Sequence, residues 1–209
     1  MKEREVENNN SEFSFVSEIK QIINEGRKSA YTAVNSVMIA VYWNVGKRIV
    51  EQEQNGKNRA EYGKHLIEIL AFELTKEFGQ SFNKRNLFYF RNFYVFFPDW
   101  QIVNACVHNL NWTHFRSLLR VQDENARLWY LKESSEQNWS SRTLDRNIAT
   151  QYYYRLFQSP SKEKVIAEMQ SKTVDFQKNP FELIKNPVVA EFLGFKAEDA
   201  FTETQLESA

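Results

Sequence analysis

A short polar run between two apolar-periodic segments carries the side chains best suited to contact a nucleic acid. Asn83, Lys84, Arg85 and Asn86 stand in succession, and Arg91 follows in the same predicted helix. Lysine and arginine neutralise phosphates, and asparagine and arginine can hydrogen-bond base edges. The pattern is compatible with DNA binding, but it is more typical of the solvated face of a packed helix.

A second group of cations lies further along the chain. It comprises Arg116, Arg120, Arg142 and Arg146, of which the last two are one helical turn apart. The residues predicted to contact DNA are Asn83, Lys84, Arg85, Asn86, Arg91, Arg116, Arg142 and Arg146.

The sequence offers no constellation of catalytic or metal-binding residues. Its three histidines are scattered and Cys106 is the single cysteine, which excludes a zinc-thiolate site. The tripeptide Glu18-Ile19-Lys20 matches the Glu-x-Lys element of metal-dependent nucleases, but it lies in a predicted helix with no acidic strand before it. We therefore predict no catalytic residue, no metal, no cofactor and no small-molecule substrate, so that this chain is not an enzyme.

Composition limits the partners and the fold class. The 209 residues include 27 basic and 27 acidic side chains, so any nucleic-acid site must be a local patch. Only 6 glycines and 4 prolines occur, which favours an all-α fold. The lone cysteine, the polar N-terminus and the lack of a long apolar run predict a cytoplasmic protein without a membrane contact.

Two helix-turn-helix-like units would position the cations. In the first, a helix from Tyr62 stops at Gly79, and a second helix runs from Asn86 to Phe97 before Pro98. The second unit covers residues 126–156, with one helix carrying an apolar stripe from Leu144 to Leu156. We predict an all-α bundle of helical hairpins with one or two such units, with residues 99–110 as a short helix, a strand or a wing.

The remaining segments complete the predicted organisation. One helix begins at Ser14, and Gly26 either ends it or is carried through it. The segment from Tyr31 to Gln52 is helical with a strong apolar stripe. Trp112 precedes a helix with Thr113 as its cap. We expect a flexible N-terminus at 1–13, a helical DNA-binding domain at 14–158, a C-terminal packing segment at 159–195 and a linker at 196–209.

The motifs of this chain resemble the N-terminal domain of the YhcG-like family of bacterial nucleases. The matching residues are Tyr62-Gly63-Lys64, Phe78-Gly79, Phe82 to Leu87, Arg91, Phe93-Tyr94, Phe97-Pro98, Trp112-Thr113-His114, Leu118-Leu119, Ala126-Arg127, Tyr130, Trp139-Ser140, Arg142 and Leu144. The resemblance covers residues 31–157 and, more weakly, 187–194. It departs at Gln80 and Ser81, where the family tends to have glycine and small residues.

The resemblance implies a DNA-binding domain that precedes a PD-(D/E)xK nuclease domain absent from this chain. A divalent cation such as Mg²⁺ would belong to that nuclease domain. The chain would bind DNA without cleaving it. The alternative is a protein-interaction or homodimerisation module whose aromatic helices form the interface.

Overall fold

The structure, a computed structural model, describes residues 2–55 and 59–176, and beyond these Val189 and Phe192. The described residues form α1 (Lys2–Asn55), α2 (Arg59–Phe78), α3 (Lys84–Phe96), α4 (Trp100–Cys106), α5 (Trp112–Leu118), α6 (Glu124–Glu136), α7 (Ser141–Ala149), α8 (Tyr152–Gln158) and α9 (Lys162–Thr173). Short 3-10 turns follow at Gln80–Phe82 and Val174–Phe176. None of these residues forms a strand, so the predicted all-α class is confirmed and residues 100–106 form a helix where a wing was an alternative.

Helix α1 is a single helix of 54 residues, so of the two alternatives at Gly26 the structure has the continuous helix. Gly26 is carried through it, because a lone glycine lowers helix stability by only about 1 kcal/mol. The helix enters the body of the protein at Tyr31, which packs against the core, whereas every residue from Ser14 to Ala30 is exposed. The helix therefore has a projecting half and a packed half.

Helices α1 and α3 form the centre of the core. Gly46 of α1 faces the backbone of α3 so closely that a methyl group added there would lie 1.9 Å from the carbonyl oxygen of Phe90. This approach stacks the rings of Tyr42 and Phe90 with centroids 4.1 Å apart. The indole Nε1 of Trp43 also donates to the carbonyl oxygen of Phe97 at 2.7 Å. Phe192 returns from near the C-terminus to contact Tyr42.

Short polar side chains cap most of the helices. Asn83, Asp123 and Ser140 accept hydrogen bonds from the first turns of α3, α6 and α7. The prediction that Thr113 caps α5 is wrong. Asn111 is the cap, and it exchanges hydrogen bonds with His114 three residues later, so the helix begins at Trp112.

The predicted long helix around Leu144 is interrupted. Helix α7 ends at Ala149 and helix α8 begins at Tyr152. Between them, Gln151 has the left-handed conformation (φ 52°). The turn lets Tyr152 and Tyr153 of α8 pack beside Trp129 of α6. This second aromatic cluster lies apart in sequence from the rings that join α1 to α3.

Two further expectations concern the C-terminal segments and contact with a membrane. The predicted linker at 196–209 lies outside the described residues, as do residues 177–188 of the predicted C-terminal packing segment. Among the described helices, none is both long and apolar enough to cross a lipid bilayer.

Candidate nucleic-acid interface

The two asparagines predicted to contact DNA are engaged by the first turn of α3. The Oδ1 atom of Asn83 accepts the backbone N–H of Asn86 at 3.0 Å. The Nδ2 atom of Asn86 donates to the carbonyl oxygen of Ser81, also at 3.0 Å. These bonds fix the turn between α2 and α3 and so orient the cations that follow.

Two of the cations on α3 form ion pairs with neighbouring helices. Lys84 contacts Glu68 of α2 at 2.5 Å on the protein surface. Arg91 donates through Nε to both carboxylate oxygens of Glu53 on α1, at 2.8 and 2.9 Å, and Glu53 is only 13% exposed. These two ion pairs join α3 to α1 and α2. Because a carboxylate compensates each cation, the pairs add little net positive potential.

Arg85 and Arg116 come together at a tyrosine. Arg85 lies one turn before Tyr89 on α3, and its guanidinium carbon is 5.7 Å from the centroid of the ring. Arg116 reaches the same ring from α5, with a distance of 5.0 Å. Neither arginine forms an ion pair with any residue that the structure describes. We call Arg85, Tyr89 and Arg116 the arginine–tyrosine cluster.

The arginine–tyrosine cluster places two positive charges beside one phenol ring. The hydrogen bond from Arg85 and the further hydrogen bond and charge of Arg116 lower the pKa of the Tyr89 hydroxyl below its usual 10.0. Guanidinium groups bind phosphate through two parallel hydrogen bonds, and an aromatic ring can stack on a nucleic-acid base. Tyr89 was not predicted as a site residue, although its position four residues after Arg85 is a usable signal.

The other predicted arginines lie on or near α7. Arg142 is exposed near the start of that helix. Arg146 lines a small surface pocket together with Asn147, Arg155 and Lys172. Arg155 is paired with Glu168 there. Arg120, the neighbour that completes the second group of cations, forms an ion pair with Asp145 at 2.5 Å.

His114 has a structural position and no free ring nitrogen. Its Nδ1 accepts the backbone N–H of Asn111 at 3.1 Å, and its Nε2 lies 2.9 Å from the carbonyl oxygen of Trp139, to which it donates in the neutral form. Burial lowers the pKa of this imidazole below its usual 6.5. Among the described residues, no group of three or more histidine, cysteine or acidic side chains is placed to hold a metal ion.

The buried imidazole of His114 should make folding stability pH-dependent. Its pKa in the folded chain is lower than the 6.5 expected when unfolded, so the unfolded chain takes up the proton first as the pH falls. The free energy of unfolding should therefore be largest above about pH 6.5 and decrease below it. Urea denaturation at a series of pH values between neutral and mildly acidic measures this effect.

The variant His114→Gln should flatten this pH dependence, with His108→Gln at an exposed position as the matched control. A wild-type stability that stays level through this range, or an unchanged slope in His114→Gln, would contradict the assignment.

Comparison of the sequence with known proteins identifies a family that the chain matches. The sequence model of the DUF1016 N-terminal domain matches residues 18–155. The chain is 31% identical over 220 residues to the protein of Escherichia coli (strain K12) named "Putative nuclease YhcG", with 91% of this chain and 58% of that protein covered. The chain thus spans less than two thirds of the length of that relative. No solved structure matches the chain. The resemblance inferred from the aromatic and polar motifs is confirmed.

Proposed function

Since the chain belongs to the family of the DUF1016 N-terminal domain, we propose that it binds DNA and positions a nuclease domain without cleaving DNA itself. The relative's printed name supports a nuclease as the activity of the whole protein. Any divalent cation such as Mg²⁺ belongs, in this proposal, to the nuclease domain.

The observation that carries the proposal is the arginine–tyrosine cluster. Two guanidinium groups from different helices meet at one ring, and neither forms an ion pair with a carboxylate of the described residues. On the same helix α3, Lys84 is paired with Glu68 and Arg91 with Glu53. A chain with equal numbers of basic and acidic residues can thus present a local positive site.

The geometry of α3 supports contact with the DNA backbone. Leu87, Phe90 and Phe93 turn one face of the helix into the core, so its first turn is left to point outward. Arg85 lies in that exposed turn, where the helix dipole adds partial positive charge. We propose that Arg85 and Arg116 bind phosphates and that Tyr89 stacks on a sugar or base, with α2 and α3 acting as a helix-turn-helix. Arg142 and Arg146 would make a second contact.

Removal of the two arginines of the cluster should weaken DNA binding. For Arg85→Ala with Arg116→Ala, we expect duplex affinity at low salt to fall by roughly a hundred-fold, and the slope of log affinity against log salt to decrease by about two, one for each lost phosphate contact. Fluorescence anisotropy of a labelled duplex titrated at several salt concentrations gives both quantities.

The matched control is Lys162→Ala with Lys164→Ala, which removes the same charge from exposed positions of α9. It should leave the salt slope near that of the wild type. If the folded arginine double variant binds as tightly as this control, the cluster is not the DNA site.

A further inference from the structure

The projecting half of α1 exposes an apolar face with no described partner. Phe15 and Ile22 are each 64% exposed, and Val16, Ile19 and Ile23 are also largely exposed. Apolar side chains seldom project together into water in this way on a monomer, because contact between apolar surface and water is unfavourable. Other exposed apolar side chains lie elsewhere, among them Phe72 and Phe78 on α2, whereas those on α1 follow one another along successive turns of one helix.

The residues of this half repeat with a period of seven. The repeats are Phe15-Val16-Ser17-Glu18-Ile19-Lys20-Gln21, Ile22-Ile23-Asn24-Glu25-Gly26-Arg27-Lys28 and Ser29-Ala30-Tyr31-Thr32-Ala33-Val34-Asn35. The first, second and fifth positions hold apolar or small residues and share one side of the helix. A seven-residue apolar repeat is typical of helices that pair along their length. We call this side the heptad face.

The heptad face continues beside the body of the protein. Val37 occupies the second position of the next repeat and is 57% exposed. Met38 and Tyr42, at the third and seventh positions, are buried against the body. The heptad face therefore points away from the body and is about 33 Å long from Phe15 to Val37 at 1.5 Å per residue. Two copies can pair through it with their bodies on the outside.

Charges beside the heptad face are complementary to a second copy in parallel orientation. Glu18 and Glu25, at the fourth positions, flank one side of the face. Lys20 and Arg27, at the sixth positions, flank the other side. In a parallel pair related by a two-fold axis, the acidic flank of one helix faces the basic flank of the other. An antiparallel pair would instead place like charges together.

We propose that this protein self-associates as a parallel helix pair through the heptad face of α1. The occupant of the face is thus a second copy of the same chain. The small residues Gly26 and Ala30 let the two helices approach closely at the centre. The proposal is independent of DNA binding, since Arg85 and Arg116 lie on α3 and α5.

Sedimentation equilibrium of the full chain, across about a hundred-fold range of concentration, tests the proposal. The wild type should associate with increasing concentration. Ile19→Lys should weaken association by at least about a hundred-fold, because it places an unpaired charge within an apolar contact. Gln21→Lys, which adds the same charge outside the heptad face, is the matched control and should associate like the wild type. Circular dichroism must show equal helix content in both variants.

Disulfide trapping tests the orientation. In a Cys106→Ala background, Val16→Cys and Ala30→Cys are made separately and oxidised with copper phenanthroline. A parallel pair brings each of these residues to its own copy, so both variants should form covalent dimers. Dimers from neither variant would overturn the parallel arrangement.

Three other results would overturn the proposal as a whole. One is a wild type that remains monomeric throughout the concentration range. The second is equal association by Ile19→Lys and Gln21→Lys, which would place the interface elsewhere. The third is a monomer that binds anionic phospholipid vesicles through these residues, which would assign the heptad face to a lipid surface.

Discussion

Gly46→Ala should strongly destabilise the protein, because its new methyl group would collide with the backbone of α3. The new Cβ would lie 1.9 Å from the carbonyl oxygen of Phe90 and 2.6 Å from its carbonyl carbon. Both are backbone atoms of α3, so the two helices must separate, which would loosen the Tyr42–Phe90 stack and lengthen the bond from Trp43 to Phe97. We expect a loss of about 3 kcal/mol or more, since overpacking against backbone cannot relax through a rotamer change. In thermal unfolding this corresponds to a decrease of roughly 10 °C.

Gly26→Ala on the same helix is the control for this substitution. No atom lies within 4 Å of the position of its added methyl group, and the site is exposed. Alanine is the better helix former, so the variant should be equal to the wild type or more stable by up to about 1 kcal/mol. Thermal unfolding followed by circular dichroism compares the two. Similar stability in both variants would show that α1 and α3 are further apart in solution than their contact at Gly46 and Phe90 indicates.

Helix positions and caps were largely predictable because their determinants are local. An N-cap such as Asn83 or Asp123 bonds to a backbone group two or three residues away, so a short stretch of sequence contains both partners. The continuity of α1 was not predictable from Gly26, since glycine is compatible with a helix and with its end. The cap at Asn111 was missed because Thr113 carries the same chemistry nearby.

The candidate site was predictable only in its residue types. The pairing of Arg91 with Glu53 spans 38 residues and exists because Gly46 lets α1 approach α3. The meeting of Arg85 with Arg116 likewise depends on how α3 and α5 pack, which no spacing within either helix specifies. Sequence identified a surplus of candidate cations, and the packing then distinguished those that are paired within the fold from those that are not. Whether these residues contact DNA stays a prediction.

The break between α7 and α8 is the clearest case in which residue spacing does not predict the structure. Leu144, Ile148, Tyr152 and Leu156 keep helical spacing across it, so the apolar stripe predicts one helix. A residue from another helix stabilises the turn instead. The hydroxyl of Tyr130 on α6 donates to the carbonyl oxygen of Asn147 at 3.0 Å and accepts the N–H of Tyr153 at 2.9 Å. One side chain thereby satisfies backbone groups at the end of α7 and the start of α8.

Tyr130→Phe should therefore destabilise the protein by about 2–4 kcal/mol, because one buried and one partly buried backbone group lose their partner while the ring stays packed. Chemical denaturation measures the loss. Tyr154→Phe is the matched control, since its hydroxyl bonds to Asp123 at an exposed position, and it should change stability much less than Tyr130→Phe. Equal effects of the two substitutions would contradict a structural role for the Tyr130 hydroxyl.

Alkaline pH gives a second readout for Tyr130. Burial raises its pKa to about 12, whereas the unfolded chain ionises near 10.0. The unfolded state thus releases this proton first, and wild-type stability should decrease as the pH rises from 10 toward 12. Tyr130→Phe lacks the ionisable group, so its stability should fall less steeply over that interval. An equally steep decrease in the variant would assign the alkaline transition to other tyrosines, with Tyr152 the first candidate because burial also raises its pKa.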